Sequence, residues 1–267
     1  MARARYELKF PISLAQKLKF VKEVCPGVVA DTNGVCATYR VSSMYFDTAD
    51  LRAYWQKMDG EAVRSKIRLR YYTAAAENQP RIQTAFMEIK HRLNDLVLKE
   101  RVQLTDEGAN TILADVRELV DLDRHVIANI PPAARTTVER IQRAASAPNF
   151  SAVNVISYLR EAWEGSVDRR LRLTFDSSCQ AYAPQSYLDV AFNCGTRILR
   201  EGEFIMEVKF DEAIPRWIRD LVARNGLHLQ RFSKYAYGVE RLRIRGQTGV
   251  MERLNPFERS NRIVGSS

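Results

Sequence analysis

The sequence predicts an α+β fold in which a largely antiparallel sheet closes into a barrel, with helices packed outside it. Charged and apolar residues alternate in five triplets, which begin at Glu7, Glu88, Glu207, Arg68 and Arg170. Residues two apart in a β-strand point to the same face, so each triplet puts two charges on one face and an apolar residue on the other. Helical periodicity occurs in inserts between groups of strands. Closure of such a sheet gives a polar interior and an apolar outer face that helices cover.

Period-two alternation predicts five strands in the first half of the chain. They span residues 3–10, 38–47, 62–72, 84–92 and 96–104. Ser13 and Gln16 form a capping-box pattern, which predicts a helix that begins there. Its apolar face consists of Leu14, Leu18, Val21 and Cys25. A short helix or turn near residues 48–58 ends at Asp59-Gly60, and a polar loop is predicted near residues 73–81.

The second half opens with a helical insert over residues 105–145. Its first helix is predicted from Ala109, Ile112, Leu113, Val116, Leu119 and Val120, and Pro131-Pro132 separates it from a second one. Alternation then predicts strands over 153–163, 167–176, 187–192, 196–201, 203–210 and about 229–245. Gly202 turns the 196–210 pair, and Pro215 and Gly226 frame a helix over 216–224. Residues 246–267 have no periodicity, so we expect a tunnel domain over 1–245 and a disordered tail.

The bulk composition bounds the class of protein. The 267 residues carry a net charge of +9, which favours anionic partners. The four cysteines show no zinc-like spacing, which favours a reduced, cytoplasmic protein. The amino terminus lacks an apolar signal core. The sequence contains no run of about 18 apolar residues, so it predicts no transmembrane segment.

The charged faces of the strands indicate a shared binding surface. A single alternating strand is most simply a solvated face, but five or more such strands favour a common cavity. Like charges repel strongly in an enclosed space of low dielectric constant, so cations gathered there require an anion or water. A linear chain of phosphates fits, because each phosphate accepts bidentate arginine contacts or a lysine point charge.

The glutamates of the triplets have two interpretations. Glu7, Glu88 and Glu207 are either counter-ions to neighbouring cations or ligands of Mg²⁺ or Mn²⁺, which prefer carboxylate oxygens and bridge them to phosphates. The sequence contains no Gly-x-x-x-x-Gly-Lys, Gly-x-Gly-x-x-Gly or Gly-x-Ser-x-Gly motif and no His-centred nucleophile pattern. Catalysis would therefore rest on positioning and charge stabilisation of phosphoryl transfer.

Eight stretches in order resemble the VTC domain, the catalytic domain of the vacuolar transporter chaperone complex that makes inorganic polyphosphate. More loosely they resemble the triphosphate tunnel metalloenzymes, the CYTH-like group. The stretches are Arg5-Tyr-Glu-Leu-Lys9, Ser43-Met-Tyr-Phe-Asp-Thr48, Lys66-Ile-Arg-Leu-Arg-Tyr71, Phe86-Met-Glu-Ile-Lys90, Tyr158-Leu-Arg-Glu-Ala162, Arg170-Leu-Arg-Leu-Thr-Phe-Asp176, Met206-Glu-Val-Lys209 and Phe232-Ser-Lys-Tyr235. The resemblance implies an eight-stranded antiparallel tunnel that holds triphosphate, with helices outside.

The resemblance also implies roles for single residues. The predicted catalytic cations are Lys9, Arg68, Arg70, Lys90, Arg160, Arg172 and Lys209. The predicted further phosphate-binding residues are Arg5, Lys66, Lys99, Arg101, Arg170, Arg231, Ser233 and Lys234, with Arg231 where the eukaryotic polymerase has a lysine. Glu207 corresponds to the family's metal-binding glutamate, and Glu7 and Glu88 complete the predicted metal set. The implied reaction transfers the terminal phosphate of ATP to a growing polyphosphate chain, with Mn²⁺ or Mg²⁺ as cofactor.

Two departures from the family pattern shape the prediction. Arg5 stands where the hydrolytic relatives have the first glutamate of Glu-x-Glu-x-Lys, which favours a polymerase over an inorganic triphosphatase or nucleotide phosphohydrolase. The eukaryotic polymerase carries a phosphate-sensing domain and membrane helices that this sequence lacks, so we expect a separate membrane partner. A non-catalytic polyphosphate-binding module remains an alternative. Nucleic-acid binding is disfavoured because no aromatic stacking platform interleaves with the cations.

Overall fold

A single antiparallel sheet organises the protein. The computed structural model describes residues 5–32, 37–73 and 84–246. The strands are β1 (Arg5–Ser13), β2 (Val28–Ala30), β3 (Thr38–Thr48), β4 (Val63–Thr73), β5 (Thr84–Leu93), β6 (Leu96–Gln103), β7 (Phe150–Gly165), β8 (Arg172–Tyr182), β9 (Thr196–Arg197) and β10 (Glu203–Phe210). The helices are α1 (Leu14–Val24), α2 (Arg52–Met58), α3 (Asp106–Ala114), α4 (Pro132–Ala145), α5 (Arg216–Arg224) and α6 (Lys234–Gly246).

Eight of these strands form a closed ring. Their order is β7-β3-β4-β5-β6-β1-β10-β8, and β7 pairs with β8 to complete the circle. Every pairing is antiparallel, while β2 and β9 extend the sheet beside β7 and β8. The predicted eight-stranded antiparallel barrel with helices outside is confirmed.

The alternation of the strands divides inside from outside. On β4, Lys66, Arg68 and Arg70 line the interior, whereas Leu69 between them is fully buried in the outer core. Three apolar clusters lie against the outer wall and the helices. One joins β4 and β5 to α3 and α4, one joins β7 to α6, and one joins β1, β8 and β10 to α1 and α5. The apolar faces of the strands therefore pack against the helices, and the charged faces point into the barrel interior.

Several predicted elements agree closely with the structure. The capping box at Ser13 and Gln16 is present, with both of its hydrogen bonds formed, and α1 begins at the next residue. The helix predicted over 216–224 is α5, and Pro131-Pro132 marks the start of α4. Gly60 and Gly202 have φ of 75° and 77°, which suits the turns predicted there because glycine adopts positive φ without a Cβ penalty.

Two predicted strands are helical. The strand predicted over about 229–245 is wrong, because that segment contains α6, where Tyr235, Ala236 and Val239 recur with helical spacing and are buried. The strand predicted over 187–192 is also wrong. It lies in a 3-10 helix, Pro184–Phe192, with proline at its first position, where a missing N–H costs nothing.

Three other predictions of secondary structure differ from the structure. The predicted 196–210 hairpin is wrong, because β9 pairs with Gln180 and Ala181 of β8. β8 begins at Arg172, later than the predicted 167–176 strand. The helix predicted through Val120 ends at Ala114, and a 3-10 helix, Val116–Arg124, follows.

The predicted apolar face of α1 is not the buried one. Leu14 and Leu18 are largely exposed, and Phe20 and Val24 are the helix's buried residues. Apart from Gly246, the predicted tail lies outside the described residues. None of the described helices is both long and apolar enough to span a membrane.

Candidate functional site

The interior of the barrel is a strongly basic cavity of about 350 Å³. Among the residues that the structure describes, fifteen cations and two carboxylates, Glu7 and Glu207, line it. The lining cations are Arg5, Lys9, Lys57, Arg64, Lys66, Arg68, Arg70, Lys90, Arg92, Lys99, Arg101, Arg160, Arg172, Lys209 and Lys234. This excess of positive charge suits the cavity to an anionic ligand.

The closed ring brings most of the predicted site residues together. All seven predicted catalytic cations line the cavity, as do six of the eight further phosphate-binding residues. The six are Arg5, Lys66, Lys99, Arg101, Ser233 and Lys234. Strand alternation puts these side chains on the inner face, except for Ser233 and Lys234, which lie at the start of α6, and closure of the ring brings them together.

Two predicted phosphate-binding residues lie elsewhere. Arg170 precedes β8 in an exposed turn, where its guanidinium binds Asp168 at 2.9 Å. Because that turn is not a strand, the parity argument that put Arg170 on the inner face fails. Arg231 is exposed and lies outside the cavity lining, just before α6.

Glu88 occupies the wall and not the cavity. Its side chain is fully buried, Arg68 donates two hydrogen bonds to one carboxylate oxygen at 2.9 and 2.6 Å, and Lys99 binds the other at 3.1 Å. Although burial alone would raise the pKa of Glu88, Arg68, Arg70 and Lys99 lower it well below its usual range. Of the two interpretations of Glu88, this position fits a counter-ion better than a metal ligand.

Glu207 is the centre of the densest charge cluster. Its carboxylate lies 2.8 Å from Lys209, 3.0 Å from Lys234, 3.3 Å from Arg160 and 3.4 Å from Lys9. Burial would raise the pKa of Glu207, but these cations lower it well below the ordinary value. The carboxylate is therefore ionised at neutral pH and able to accept a metal or compensate a cation.

Asp176 anchors two of the same cations from behind. It is completely buried, accepts a bidentate pair of hydrogen bonds from Arg160 at 2.7 and 2.8 Å, and binds Lys234 at 2.5 Å. The sequence alone does not reveal the role of Asp176, because that role depends on β8 lying beside β7. Bidentate geometry of this kind fixes the guanidinium plane.

Tyrosine hydroxyls hold three of the predicted catalytic arginines. Arg68 donates to Tyr45 at 3.0 Å, Arg70 donates to Tyr158 at 2.9 Å, and Arg172 donates to Tyr39 at 3.0 Å. A tyrosine hydroxyl accepts the bond without cancelling the positive charge, unlike a carboxylate. The tyrosines therefore orient the guanidinium groups, while Glu88 also pairs with Arg68 and Asp31 with Arg172.

The two lining carboxylates fit a divalent metal that arrives with phosphate. In the β1–β10 pairing, Glu7 stands opposite Lys209 and Glu207 stands opposite Lys9, so the carboxylates lie on neighbouring strands. Mg²⁺-type ions take one or two carboxylates and complete their coordination with phosphate oxygens and water. In the described part of the chain, no three His, Cys, Asp or Glu residues group closely enough to hold a metal. The donor set therefore suits a metal shared with a phosphate ligand.

A comparison with protein-family models gives a match over most of the chain. The model described as VTC domain matches residues 4–243 of this chain. A comparison with curated proteins finds no match.

Solved structures show the same fold at low sequence identity. A putative adenylyl cyclase, HpAC1 from Hippeastrum, is described as having a dominant triphosphatase activity. It matches with a TM-score of 0.53 and 15% identity over 90% of this chain and 96% of its own. A putative adenylate cyclase from Bacillus halodurans matches with a TM-score of 0.50 and 13% identity over 86% of this chain and 94% of its own.

Proposed function

Since this chain belongs to the VTC domain family, we propose that it is a metal-dependent polyphosphate polymerase that transfers the terminal phosphate of ATP to a growing inorganic polyphosphate chain. The observation that carries the proposal is that, among the described residues, fifteen cations and two carboxylates line the cavity. A linear polyanion is the ligand that compensates such a wall along its length.

The cations that line the cavity would stabilise the negative charge that shifts between phosphate oxygens during phosphoryl transfer. Phosphoryl transfer needs little covalent help, so positioned cations supply most of the catalysis. Arg160, fixed by Asp176, and Lys9 and Lys234, gathered around Glu207, would bind the oxygens of the transferred phosphate and of the leaving group. Asp176 holds the Arg160 guanidinium in place before the substrate arrives, whereas Lys9 and Lys234 would exchange their contacts with Glu207 for contacts with phosphate.

Glu207, with Glu7 on the neighbouring strand, would hold the Mn²⁺ or Mg²⁺, which supplies neutralisation of charge on the phosphate oxygens. When phosphate oxygens approach, the lysines that now bind Glu207 and Glu7 gain stronger anionic partners. The carboxylates are then released from those lysines and become available as ligands.

Hydrolysis of triphosphate, with water as the acceptor, is the second candidate. It is favoured by the triphosphatase activity named for the Hippeastrum protein. Arg5 argues against it, because it lines the cavity where the hydrolytic relatives carry a glutamate, and its guanidinium binds Asp211 at 2.8 Å. A cation at this position strengthens the binding of an anionic acceptor more than that of water.

Incubation of the purified protein with ATP and Mn²⁺ separates the candidates. Long-chain polyphosphate formed together with ADP supports the polymerase. Release of free phosphate without chain growth supports hydrolysis. Binding of polyphosphate without turnover of ATP would contradict both and leave a binding module.

A matched pair of variants tests the role of Glu207. Glu207→Gln keeps the shape of the side chain but removes the charge that a metal needs, so turnover should be lost. Glu201→Gln makes the same change at an exposed residue just before β10 and should retain turnover. Activity of Glu207→Gln equal to that of Glu201→Gln would refute the metal assignment.

A further inference from the structure

The cations of the cavity are not compensated evenly. In the centre, Glu7, Glu207 and the wall carboxylates pair with the surrounding lysines and arginines. At the end where β4 starts and α2 lies, the lining residues Lys57, Arg64, Lys66 and Arg92 form a cluster, here named the α2-end cluster. Within the described residues, Arg92 is the one member that forms a salt bridge, at 3.2 Å to the exposed Asp95.

Strand register forces the members of this cluster together. Arg64 of β4 stands directly opposite Arg92 of β5, and Lys66 stands opposite Lys90. Like charges directly opposite one another on antiparallel strands are destabilising. Arg64 is nevertheless buried, with 8% of its surface exposed, so solvent screens this repulsion only weakly. The α2 helix adds Lys57 to the same end of the cavity.

The surroundings of Lys66 contain no anionic partner among the described residues. Its ammonium group donates to Ser233 at 3.0 Å and lies 4.8 Å from the ring centre of Tyr235. Burial and the cations Lys90 and Lys57 lower the pKa of Lys66 well below its usual range. Burial and Arg92 likewise lower the pKa of Arg64. An anion placed here would gain attraction and also relieve repulsion that the unliganded protein tolerates.

The cluster continues a row of cations along β4. Arg64, Lys66, Arg68 and Arg70 all line the cavity, and alternate residues of a strand are about 6.6 Å apart. Four such positions extend over about 20 Å. This length suits an elongated anion, whereas a single phosphate would contact one or two of these positions.

We propose that the α2-end cluster binds the extended part of a linear polyphosphate chain, so that a chain longer than triphosphate leaves the barrel at the α2 end. The inference rests on the proposed function, since it assumes phosphate binding in the centre of the cavity. It adds Lys57, Arg64 and Arg92 to the binding residues and gives the bound chain a direction.

The test compares the binding of tripolyphosphate with that of a polyphosphate several times longer, each at several salt concentrations. The variant is Lys57→Gln with Arg92→Gln, which removes two charges from the cluster. The control is Lys19→Gln with Lys22→Gln, which removes two charges from the exposed surface of α1. Far-ultraviolet circular dichroism and thermal melting establish that all three proteins are folded.

For polyanions, each lost cation contact reduces the slope of log affinity against log salt by about 0.7–0.9. For the longer chain, we expect the cluster variant to lower this slope by about 1.4–1.8 and the control to leave it unchanged. For tripolyphosphate, the cluster variant should lower the slope by less than half as much. Equal losses for the two ligands, or no loss for either, would overturn the inference.

The failure of this inference differs from failure of the proposed function. If the unmutated protein binds tripolyphosphate but gains no affinity for the longer chain, the α2-end cluster is not a binding segment and the proposed function stands. If the unmutated protein binds neither ligand, both proposals are overturned.

Discussion

Lys90 should make the binding of tripolyphosphate sensitive to pH near neutrality. Its ammonium group lies 2.7 Å from Glu7, but it also stands opposite Lys66 and Lys99 on the neighbouring strands. Burial, which outweighs the attraction of Glu7, lowers the pKa of Lys90 to about 8. In the free protein Lys90 is therefore mostly charged at pH 7 and mostly neutral at pH 9.

The magnitude follows from this pKa. If the bound anion keeps Lys90 charged, the ligand must restore the proton that the free protein has lost. Between pH 7 and pH 9 that costs about 1.4 kcal/mol, or about a tenfold loss of affinity. Arginine stays charged throughout this range, so the affinity of the Lys90→Arg variant for tripolyphosphate should fall much less between pH 7 and pH 9.

The assay is equilibrium titration of tripolyphosphate at pH 7, 8 and 9, with unmutated protein and Lys90→Arg measured side by side. Changes in the ligand's own protonation affect both proteins equally and cancel in the comparison. The unmutated protein should weaken about tenfold more than the variant over this range. Parallel pH profiles would refute the assignment of a lowered pKa to Lys90.

The same pKa fixes the sign of a stability effect. Because the folded pKa of about 8 lies below the usual 10.5, the folded protein binds fewer protons than the unfolded chain between these values. The contribution of Lys90 to the free energy of unfolding therefore rises with pH across that window, by about 3.4 kcal/mol at most.

Three further changes test the packing that supports the site. Asp176→Asn breaks the buried ion pair with Arg160 and should lower the free energy of unfolding by about 3–5 kcal/mol in urea denaturation; a loss under about 1 kcal/mol would contradict the anchoring role. Gly108→Ala would place a Cβ 2.5 Å from the carbonyl oxygen of His125, so we expect the free energy of unfolding, measured by thermal melting, to fall by about 1–3 kcal/mol. An unchanged melting temperature would disprove the close approach. Ser13→Ala removes the α1 cap and should cost about 1 kcal/mol by the same method, whereas a neutral result would show that the cap adds no stability.

The barrel was predictable because its strands carry a simple pattern. Charges at Arg68, Arg70 and Lys90 alternate with apolar residues that must face the helices, and a shift of one residue would bury the charges in the outer core. The closed ring depends on β7 pairing with both β3 and β8, which period-two alternation does not encode. The number of strands came from the family resemblance, which the matching VTC domain model confirms.

The errors in secondary structure have a local cause. Tyrosine and valine favour strands, and Tyr235, Tyr237 and Val239 alternate along the segment predicted as a strand, but tertiary packing gave a helix. Gly238 permits that packing, since a Cβ there would lie 2.4 Å from the side chain of Ile156 on β7. In the 184–192 segment, Pro184 was the available signal for a helical start.

The cations of the site could be predicted from the sequence, but most of the residues that position them could not. Strand parity assigns a side chain to a face but does not give its depth, so it could not show that Glu88 is buried in the wall and paired with Arg68. Lys57 comes from a helix, so no strand pattern could reveal it. The roles of Asp176 and Tyr158 arise from side-chain contacts between strands, which require the three-dimensional structure.

The central claim is that the barrel interior binds a chain of phosphates. A crystal structure of the protein soaked with tripolyphosphate tests it most directly. Phosphates inside the barrel, within hydrogen-bond distance of Lys9, Arg70 and Arg160, would agree with the account. Phosphates bound at the outer surface, with the interior cations still paired to Glu7 and Glu207, would contradict it.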